Sequence, residues 1–176
     1  MRALDAIHEA IQSASETLLA TFQQGGKLLI CGNGGSAADS QHIAAEFVVR
    51  YHQNRLALPA IALTTDTSIL TAHPNDFDFA TLFSRQIEAL GQKNDCLLAI
   101  STSGNSSNIL NAVDIAQAKG MTTIGMTGHD GGQLKERTGQ TIIVPSEVTA
   151  RIQEAHILIA HWWCQRADEV FTKEAS

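Results

Sequence analysis

Cysteine is scarce in this sequence, and its placement argues against a disulfide framework. Only three cysteines occur among 176 residues, and no two of them are spaced as Cys-x-x-Cys. Cys31 and Cys96 lie within apolar runs, where a cysteine behaves as a small hydrophobic residue. This pattern indicates a reducing, cytoplasmic compartment and disfavours a cysteine-based zinc knuckle.

Long apolar runs and an excess of basic residues are also absent. The longest apolar candidate, residues 155–164, is interrupted by two histidines and is shorter than the roughly 20 residues of a membrane span. The first residues carry Asp5 and Glu9 and lack the apolar core of a secretory signal. Lys and Arg number 12 against 18 acidic residues, and the formal charge of −6 argues against a nucleic-acid or membrane partner. We therefore expect any bound anion to be held by dipoles and hydroxyl groups.

Short apolar runs alternate with amphipathic stretches along the chain. The runs predict strands at 27–31, 59–63, 96–101, 122–127 and 141–144. The stretches predict helices at 2–23, 36–51, 66–73, 79–90, 109–119 and 149–170. Such alternation is typical of βαβ units, and it predicts an α/β fold: a three-layer αβα sandwich around a five-stranded parallel sheet. We expect one domain over residues 1–176, with an N-terminal helix in 1–24 and the sheet and flanking helices in 25–172.

Two polar loops follow predicted strands, at the sheet edge where α/β proteins bind ligands. The first, residues 32–36, is rich in glycine, which either admits a ligand close to the backbone or forms a tight turn. It matches neither the dinucleotide fingerprint nor the P-loop. The second, residues 101–107, has five hydroxyl side chains at the start of a helix. N-capping needs only one of them, so this loop predicts a phosphate site.

Side chains that can bind a metal ion are spaced along two of the predicted helices. His42 and Glu46 lie one turn apart on one face, where they can share a zinc ion or pair as a base and its orienting group. A solvated His–Glu pair is the alternative. The last helix carries Gln153, His156 and His161, and their spacing does not choose between the two histidines.

Four motifs together resemble the sugar isomerase (SIS) domain family and, within it, the phosphoheptose isomerases. They are CGNGGS at 31–36, ISTSGNS at 100–106, MTGHDGG at 126–132 and RIQEAHILIAH at 151–161. The resemblance implies a flavodoxin-like sheet and a homotetramer with active sites between subunits. It also implies an aldose–ketose isomerase that converts sedoheptulose 7-phosphate to D-glycero-D-manno-heptose 7-phosphate. That reaction is the first step of ADP-heptose synthesis for lipopolysaccharide or other heptose-containing glycans.

The same resemblance implies a set of site residues. One zinc ion per active site would be bound by His42, Glu46, Gln153 and His161, which selects His161 over His156. Substrate contacts would come from Asn33, Gly34, Gly35, Ser36, Glu46, Asn75, Asp76, Ser101, Thr102, Ser103, Ser106 and Gln153. For catalysis we expect Glu46 to act as the base and His161 as the acid. Pro74 is expected to stiffen a loop that carries Asn75 and Asp76.

Three other functions compete with this one. A related group of SIS proteins that binds the replication initiator shares the loops but lacks the full metal-ligand set, which is present here. A sugar-phosphate sensor is usually fused to a DNA-binding domain, for which this chain has neither the length nor a basic patch. An isomerase of another sugar phosphate is the alternative that the sequence excludes least well, because a phosphate loop recognises the common end of all such substrates.

Overall fold

Five parallel strands form one sheet at the centre of the molecule. The computed structural model describes residues 2–172. Strands β1 to β5 are Leu28–Gly32, Ala60–Ala62, Cys96–Ile100, Thr122–Thr127 and Gln140–Ile143. Their spatial order is β2-β1-β3-β4-β5, and every neighbouring pair is parallel. This is the flavodoxin-like order, and it confirms the predicted α/β fold.

Seven α-helices connect and cover the strands within residues 2–172. Helices α1 to α7 are His8–Gln23, Gly35–Val48, Thr67–Asp76, Leu82–Leu90, Ser107–Ala118, Leu134–Arg137 and Thr149–Phe171. Short 3-10 turns at Arg2–Ile7 and Phe79–Thr81 precede α1 and α4. None of the described helices combines the length and apolar character that crossing a bilayer requires.

The sheet separates two apolar layers, because alternate side chains of a strand point to opposite faces. On β1, Leu28 and Ile30 pack into one cluster together with side chains of α1, α2 and α7. Leu29 and Cys31 pack into the other cluster, which includes side chains of α4 and α5. Strands β1 and β3 are buried along their whole length. The three cysteines are free and buried, which confirms the burial predicted for Cys31 and Cys96.

The chain leaves the two central strands in opposite directions. Strand β1 is followed by β2 on one side of it, and β3 is followed by β4 on the other. The loops that follow β1 and β3 therefore diverge and leave a crevice at the carboxyl ends of the strands, where ligands bind in this class of sheet. Both polar loops singled out from the sequence lie at this crevice.

The structure corrects two details of the sequence-based prediction. The segment that holds Pro74, expected as a loop, is the last turn of α3, which ends at Asp76. The one-turn helix α6 between β4 and β5 was not predicted, since four residues are too few to show helical periodicity. Residue 1 and residues 173–176 of the expected domain lie outside the described residues.

Candidate active site

Helices α2 and α7 bring three metal-ligating side chains together on one side of the sheet. The His42 Nε2 atom lies 3.2 Å from the Glu46 Oε1 atom. The His161 Nε2 atom of α7 lies 3.3 Å from the same His42 nitrogen. One donor atom from each of the three residues lies within 4.8 Å of the other two. The helical spacing of His42 and Glu46 and the packing of α7 against α2 therefore produce one cluster, which we call the His–Glu–His group.

The dimensions and the donors of the His–Glu–His group fit a zinc ion. Two ligand atoms bound to zinc at tetrahedral angles lie about 3.3 Å apart, which matches both measured separations. Two imidazoles and one carboxylate are the ligand types of catalytic zinc sites, which leave a position open for water or substrate. The His42 side chain is 46% exposed and that of Glu46 is 23% exposed, so the group is accessible from outside.

His156 takes no part in this group. It is fully buried, and its Nε2 atom lies 3.2 Å from the backbone carbonyl of Thr127, to which it donates. Its Nδ1 atom has no hydrogen-bond partner among residues 2–172. Burial lowers the pKa of His156 to about 4, although the Thr127 carbonyl works in the opposite direction. Of the two histidines that spacing left open, His161 is therefore the one that lies close to His42 and Glu46.

Two contacts stabilise the end of α2 that carries Glu46. The Tyr51 ring stacks on His161, with ring centroids 5.4 Å apart and planes inclined by 26°. The Arg55 guanidinium donates to the carbonyls of Glu46 and Phe47 at 2.7 and 2.8 Å, and so satisfies carbonyls that a helix end leaves free. Arg55 in turn pairs with Asp168 of α7 at 2.9 Å, and both side chains are buried.

Both carboxylate oxygens of Asp168 accept hydrogen bonds. Its second oxygen accepts the backbone amides of His52 and Gln53 at 2.7 and 2.8 Å. Burial alone would raise the pKa of this carboxyl, but the Gln53 and His52 amides and the Arg55 guanidinium outweigh it and lower the pKa. Asp168 is therefore a buried, ionised partner that ties the segment after α2 to α7.

The glycine-rich loop after β1 forms a tight turn into α2. Gly34 has φ +57° and ψ −119°, a conformation that glycine adopts at little cost. The Asn33 carbonyl accepts the Ser36 amide at 3.0 Å, and Ser36 itself is buried in the first turn. Gln153 lies directly against Gly35, because a Cβ atom there would be 2.3 Å from the glutamine amide nitrogen. The Ala37 and Ala38 amides donate to the Gly34 carbonyl at 3.0 and 3.2 Å, so the turn itself supplies acceptors for amides in the first turn of α2.

The hydroxyl-rich loop after β3 is packed against the loop after β4. A Cβ atom on Gly104, which has φ +67°, would lie 2.1 Å from the Gly131 carbonyl oxygen. The Gly104 carbonyl accepts the Leu134 amide at 2.9 Å, and the Thr102 carbonyl accepts the Gly128 amide at 3.0 Å. These contacts hold the loop in one shape, so its hydroxyl groups are pre-arranged.

The hydroxyl groups of this loop do not cap the helix that follows. Ser106 is the N-cap residue of α5 but makes no side-chain capping hydrogen bond. Its Oγ atom lies instead 3.0 Å from the Ser101 Oγ atom. Ser103 is exposed, and Thr102 is half-buried. The N-terminal amides of α5 and several hydroxyl groups are therefore available to an anion, as a phosphate site requires.

Comparisons with known proteins decide the family. A family model described as the SIS domain matches residues 1–128. A phosphoheptose isomerase of Aliarcobacter butzleri is 50% identical over 167 residues, which cover 95% of this chain and 88% of the relative. One from Clostridium acetobutylicum is 54% identical over 156 residues, with 89% and 80% covered. The structure of phosphoheptose isomerase GmhA from Neisseria gonorrhoeae matches with a TM-score of 0.89 and 45% identity, covering 96% of this chain and 90% of that one.

The chain belongs to the phosphoheptose isomerase family of SIS-domain proteins. The family and the isomerase class predicted from the four motifs are thereby confirmed. The structure of the N. gonorrhoeae relative also agrees with the sheet and flanking helices described above.

The site residues expected of a phosphoheptose isomerase lie in different parts of this protomer. His42, Glu46 and His161 meet in the His–Glu–His group, whereas Gln153 lies eight residues before His161, about 12 Å back along the axis of α7. Gly35 and Glu46 are about 16 Å apart along α2 by the same rise per residue. The Gly34–Gly35 turn and Gln153 thus lie at one end of α2, and the His–Glu–His group lies toward the other.

Asn75 and Asp76 occupy a third place. Both are exposed at the end of α3, and the Asn75 amide donates to the Asp76 carboxylate at 2.8 Å. Their expected contact with substrate stays a prediction.

Sequence reasoning missed several residues that border these sites. Asn108, Arg55 and Tyr51 act through partners that are distant in the sequence, so no local pattern identifies them. Asp39 was also missed, although it lies three residues before His42. That spacing places the two side chains on the same face of α2 and could have identified Asp39 from the sequence. Burial raises the pKa of its carboxyl, partly offset by the His42 imidazole. Its Oδ2 atom has no hydrogen-bond partner within residues 2–172.

Proposed function

We propose that this chain is a cytoplasmic phosphoheptose isomerase that interconverts sedoheptulose 7-phosphate and D-glycero-D-manno-heptose 7-phosphate. This reaction begins the synthesis of ADP-heptose for lipopolysaccharide or other heptose-containing glycans. The single observation that carries the proposal is the His–Glu–His group, which has the donors and the spacing of a metal-dependent proton-transfer site. The names of relatives about 50% identical to this chain support the choice of substrate.

Zinc is the metal that the His–Glu–His group would hold. When bound, a zinc ion polarises the sugar oxygens and stabilises the negative charge of an enediolate. His42, Glu46 and His161 would supply three ligands, and Gln153 is the fourth that the family resemblance implies. Because Gln153 lies about 12 Å from His161 along α7, we infer that a neighbouring subunit supplies it.

The hydroxyl-rich loop would hold the phosphate of the substrate. Ser101, Thr102, Ser103 and Ser106 offer hydroxyl groups, and the uncapped end of α5 offers backbone amides and the positive end of its dipole. The Gly34–Gly35 turn and Gln153 lie next to this place and would contact the sugar chain. Binding the remote phosphate would align C1 and C2 with the reacting groups.

Proton transfer would use Glu46 and His161. Isomerisation removes a proton from C1 of the ketose and returns it to C2, and a carboxylate such as Glu46 can perform both steps on one face of the enediol. His161 would move the hydroxyl proton between O2 and O1 through the ring nitrogen that does not hold the metal, because that nitrogen can both donate and accept a proton. As the Glu46 carboxylate also belongs to the metal group, it would leave the metal while it holds the proton.

The active site would be completed between subunits of a homotetramer. The Gly34–Gly35 turn, which Asn33 links to the start of α5, lies about 16 Å from Glu46 along the axis of α2. A substrate that spans both functions is therefore best placed between the phosphate loop of one protomer and the His–Glu–His group of another. The predicted single SIS domain over residues 1–176 would be the repeating unit of this assembly.

An activity assay on C5, C6 and C7 ketose phosphates tests the proposal. We expect sedoheptulose 7-phosphate to be the preferred substrate and Glu46→Gln to lower the rate by orders of magnitude while the fold is kept. Glu154→Gln is the matched control, because Glu154 is exposed on α7 and pairs with Arg151. Preference for a shorter sugar phosphate would show that the protein is an isomerase of a different sugar phosphate. An inactive protein that binds the replication initiator in a pull-down would support the scaffold function instead.

A further inference from the structure

A reciprocal pair of amides links the two ligand-binding loops at the base of the crevice. The Asn33 side chain donates to the Asn108 oxygen at 2.9 Å, and the Asn108 side chain donates to the Asn33 oxygen at 2.9 Å. Asn33 is the first residue after β1, and Asn108 is the second residue of α5. The two are 75 residues apart in the chain, and Asn108 is 2% exposed. Each amide thus presents both a donor and an acceptor to the other.

The amide pair fixes the glycine turn relative to the start of α5. The Asn33 carbonyl is already engaged by the Ser36 amide, so backbone and side chain hold this residue from two directions. The next residue, Gly34, is a glycine with φ +57° and can adopt many other backbone conformations. Contacts made by neighbouring residues must therefore hold the turn in its observed conformation. Neither Gly34 nor Ser106, the N-cap residues of α2 and α5, makes a side-chain capping bond. The pair is therefore a polar side-chain link between the turn that begins α2 and the first turn of α5.

We propose that Asn108 is a positioning residue for the sugar phosphate. It does not itself touch the substrate, since its amide is buried and points to Asn33. It holds the Gly34–Gly35 turn at a fixed distance from the phosphate loop. The turn, which would contact the sugar, and the loop, which would bind the phosphate, can then bind the two parts of one ligand. The inference rests on the proposed function, because it takes the ligand of both loops to be the substrate.

The chemistry of an amide suits this role better than that of its isosteres. In Asn108→Asp the Asn33 amide can still donate to the new carboxylate, but the return bond is lost and two oxygens face each other. In Asn108→Ala both bonds are lost and the Asn33 amide loses its partner in a half-buried position. The aspartate variant is therefore expected to fall between the wild type and the alanine variant.

The matched control is Asn111→Ala on the same helix. Asn111 lies three residues further along α5 and donates one hydrogen bond, to the Ala80 carbonyl at 2.9 Å, away from both loops. It reports what the loss of a side-chain amide from α5 does to stability alone. The variants Asn108→Ala, Asn108→Asp, Asn33→Ala and Asn111→Ala, and the double variant of Asn33 and Asn108, are compared by steady-state kinetics and by thermal unfolding.

We expect Asn108→Ala to raise KM for sedoheptulose 7-phosphate by about tenfold, a change typical of one or two lost hydrogen bonds, with a smaller change in kcat. Asn111→Ala should leave KM unchanged, although it should lower thermal stability about as much as Asn108→Ala does. Adding Asn33→Ala to Asn108→Ala should cost little more in thermal stability, because the first change already removes the interaction that the two side chains share. An unchanged KM in Asn108→Ala, an equal rise of KM in the Asn111 control, or additive losses of thermal stability in the double variant would each overturn the inference.

Inorganic phosphate separates this inference from the proposed function. Its affinity is measured from the rise in thermal midpoint with phosphate concentration, which needs no turnover. If the wild type binds phosphate but does not isomerise the heptose, the function is wrong, and weaker phosphate binding by Asn108→Ala still supports the positioning role. If the wild type is active and Asn108→Ala keeps both its KM and its phosphate affinity, the function stands and the positioning role is refuted.

Discussion

Protonation of the buried His156 should make the protein lose stability in mild acid. The pKa of this histidine is about 4 in the folded protein and 6.5 in its ordinary state, because burial penalises the charged imidazole. The unfolded chain therefore binds more protons than the folded one between these values, and stability falls as the pH falls through this range. The contribution is fully present above pH 6.5. The difference of about 2.5 pKa units corresponds to about 3 kcal/mol lost by pH 4 and about 2 kcal/mol lost by pH 5.

Substitution of His156 by glutamine isolates this effect. His156→Gln keeps a side-chain donor for the Thr127 carbonyl but removes the titration. The assay is urea unfolding of both proteins at several pH values between 4 and 7.5, at one protein concentration. We expect the stability of the variant relative to the wild type to rise by about 2 kcal/mol from pH 7.5 to pH 5. A constant difference across this range would show that His156 is not held neutral by burial.

Three further predictions concern the other parts of the site. Asp168→Asn should cost about 3 kcal/mol or more in unfolding free energy, because it leaves the buried Arg55 charge unpaired. In the exposed pair with Arg137, Asp114→Asn should cost less than about 1 kcal/mol, and equal losses would contradict the buried-pair argument. Ser106→Ala should raise KM about tenfold and Ser107→Ala should not, and similar kinetics for both would argue against the phosphate site. Chelation should abolish activity and zinc should restore it, whereas activity indifferent to both would remove the metal from the mechanism.

Local sequence patterns were enough to predict the strands of the sheet and the helices that connect them. The run at residues 122–127 is the strand β4 with the same bounds, and no end of the other strands differs from its predicted position by more than one residue. The parallel arrangement followed from the helices between the runs, since a parallel pair needs a crossover. The last turn of α3 was missed because a proline inside a helix, here Pro74, normally marks its end.

The site was predictable where its residues share a helix, and not where they meet across the fold. The spacing of His42 and Glu46 reveals their common face directly. His161 could be chosen only through the family resemblance, because a 23-residue helix has several faces and the sequence does not state which one meets α2. The Arg55–Asp168 ion pair joins residues 113 positions apart, and its existence depends on the loop after α2 folding back onto α7. Such long-range pairs leave no periodic trace in the sequence.

The two histidines of the His–Glu–His group lie 119 residues apart in the sequence. An ion bound at the proposed zinc site would therefore join α2 to α7, two helices that come from distant parts of the sequence. Its binding energy would be available only to molecules in which α7 is docked on α2, so zinc would favour the folded arrangement of these two helices.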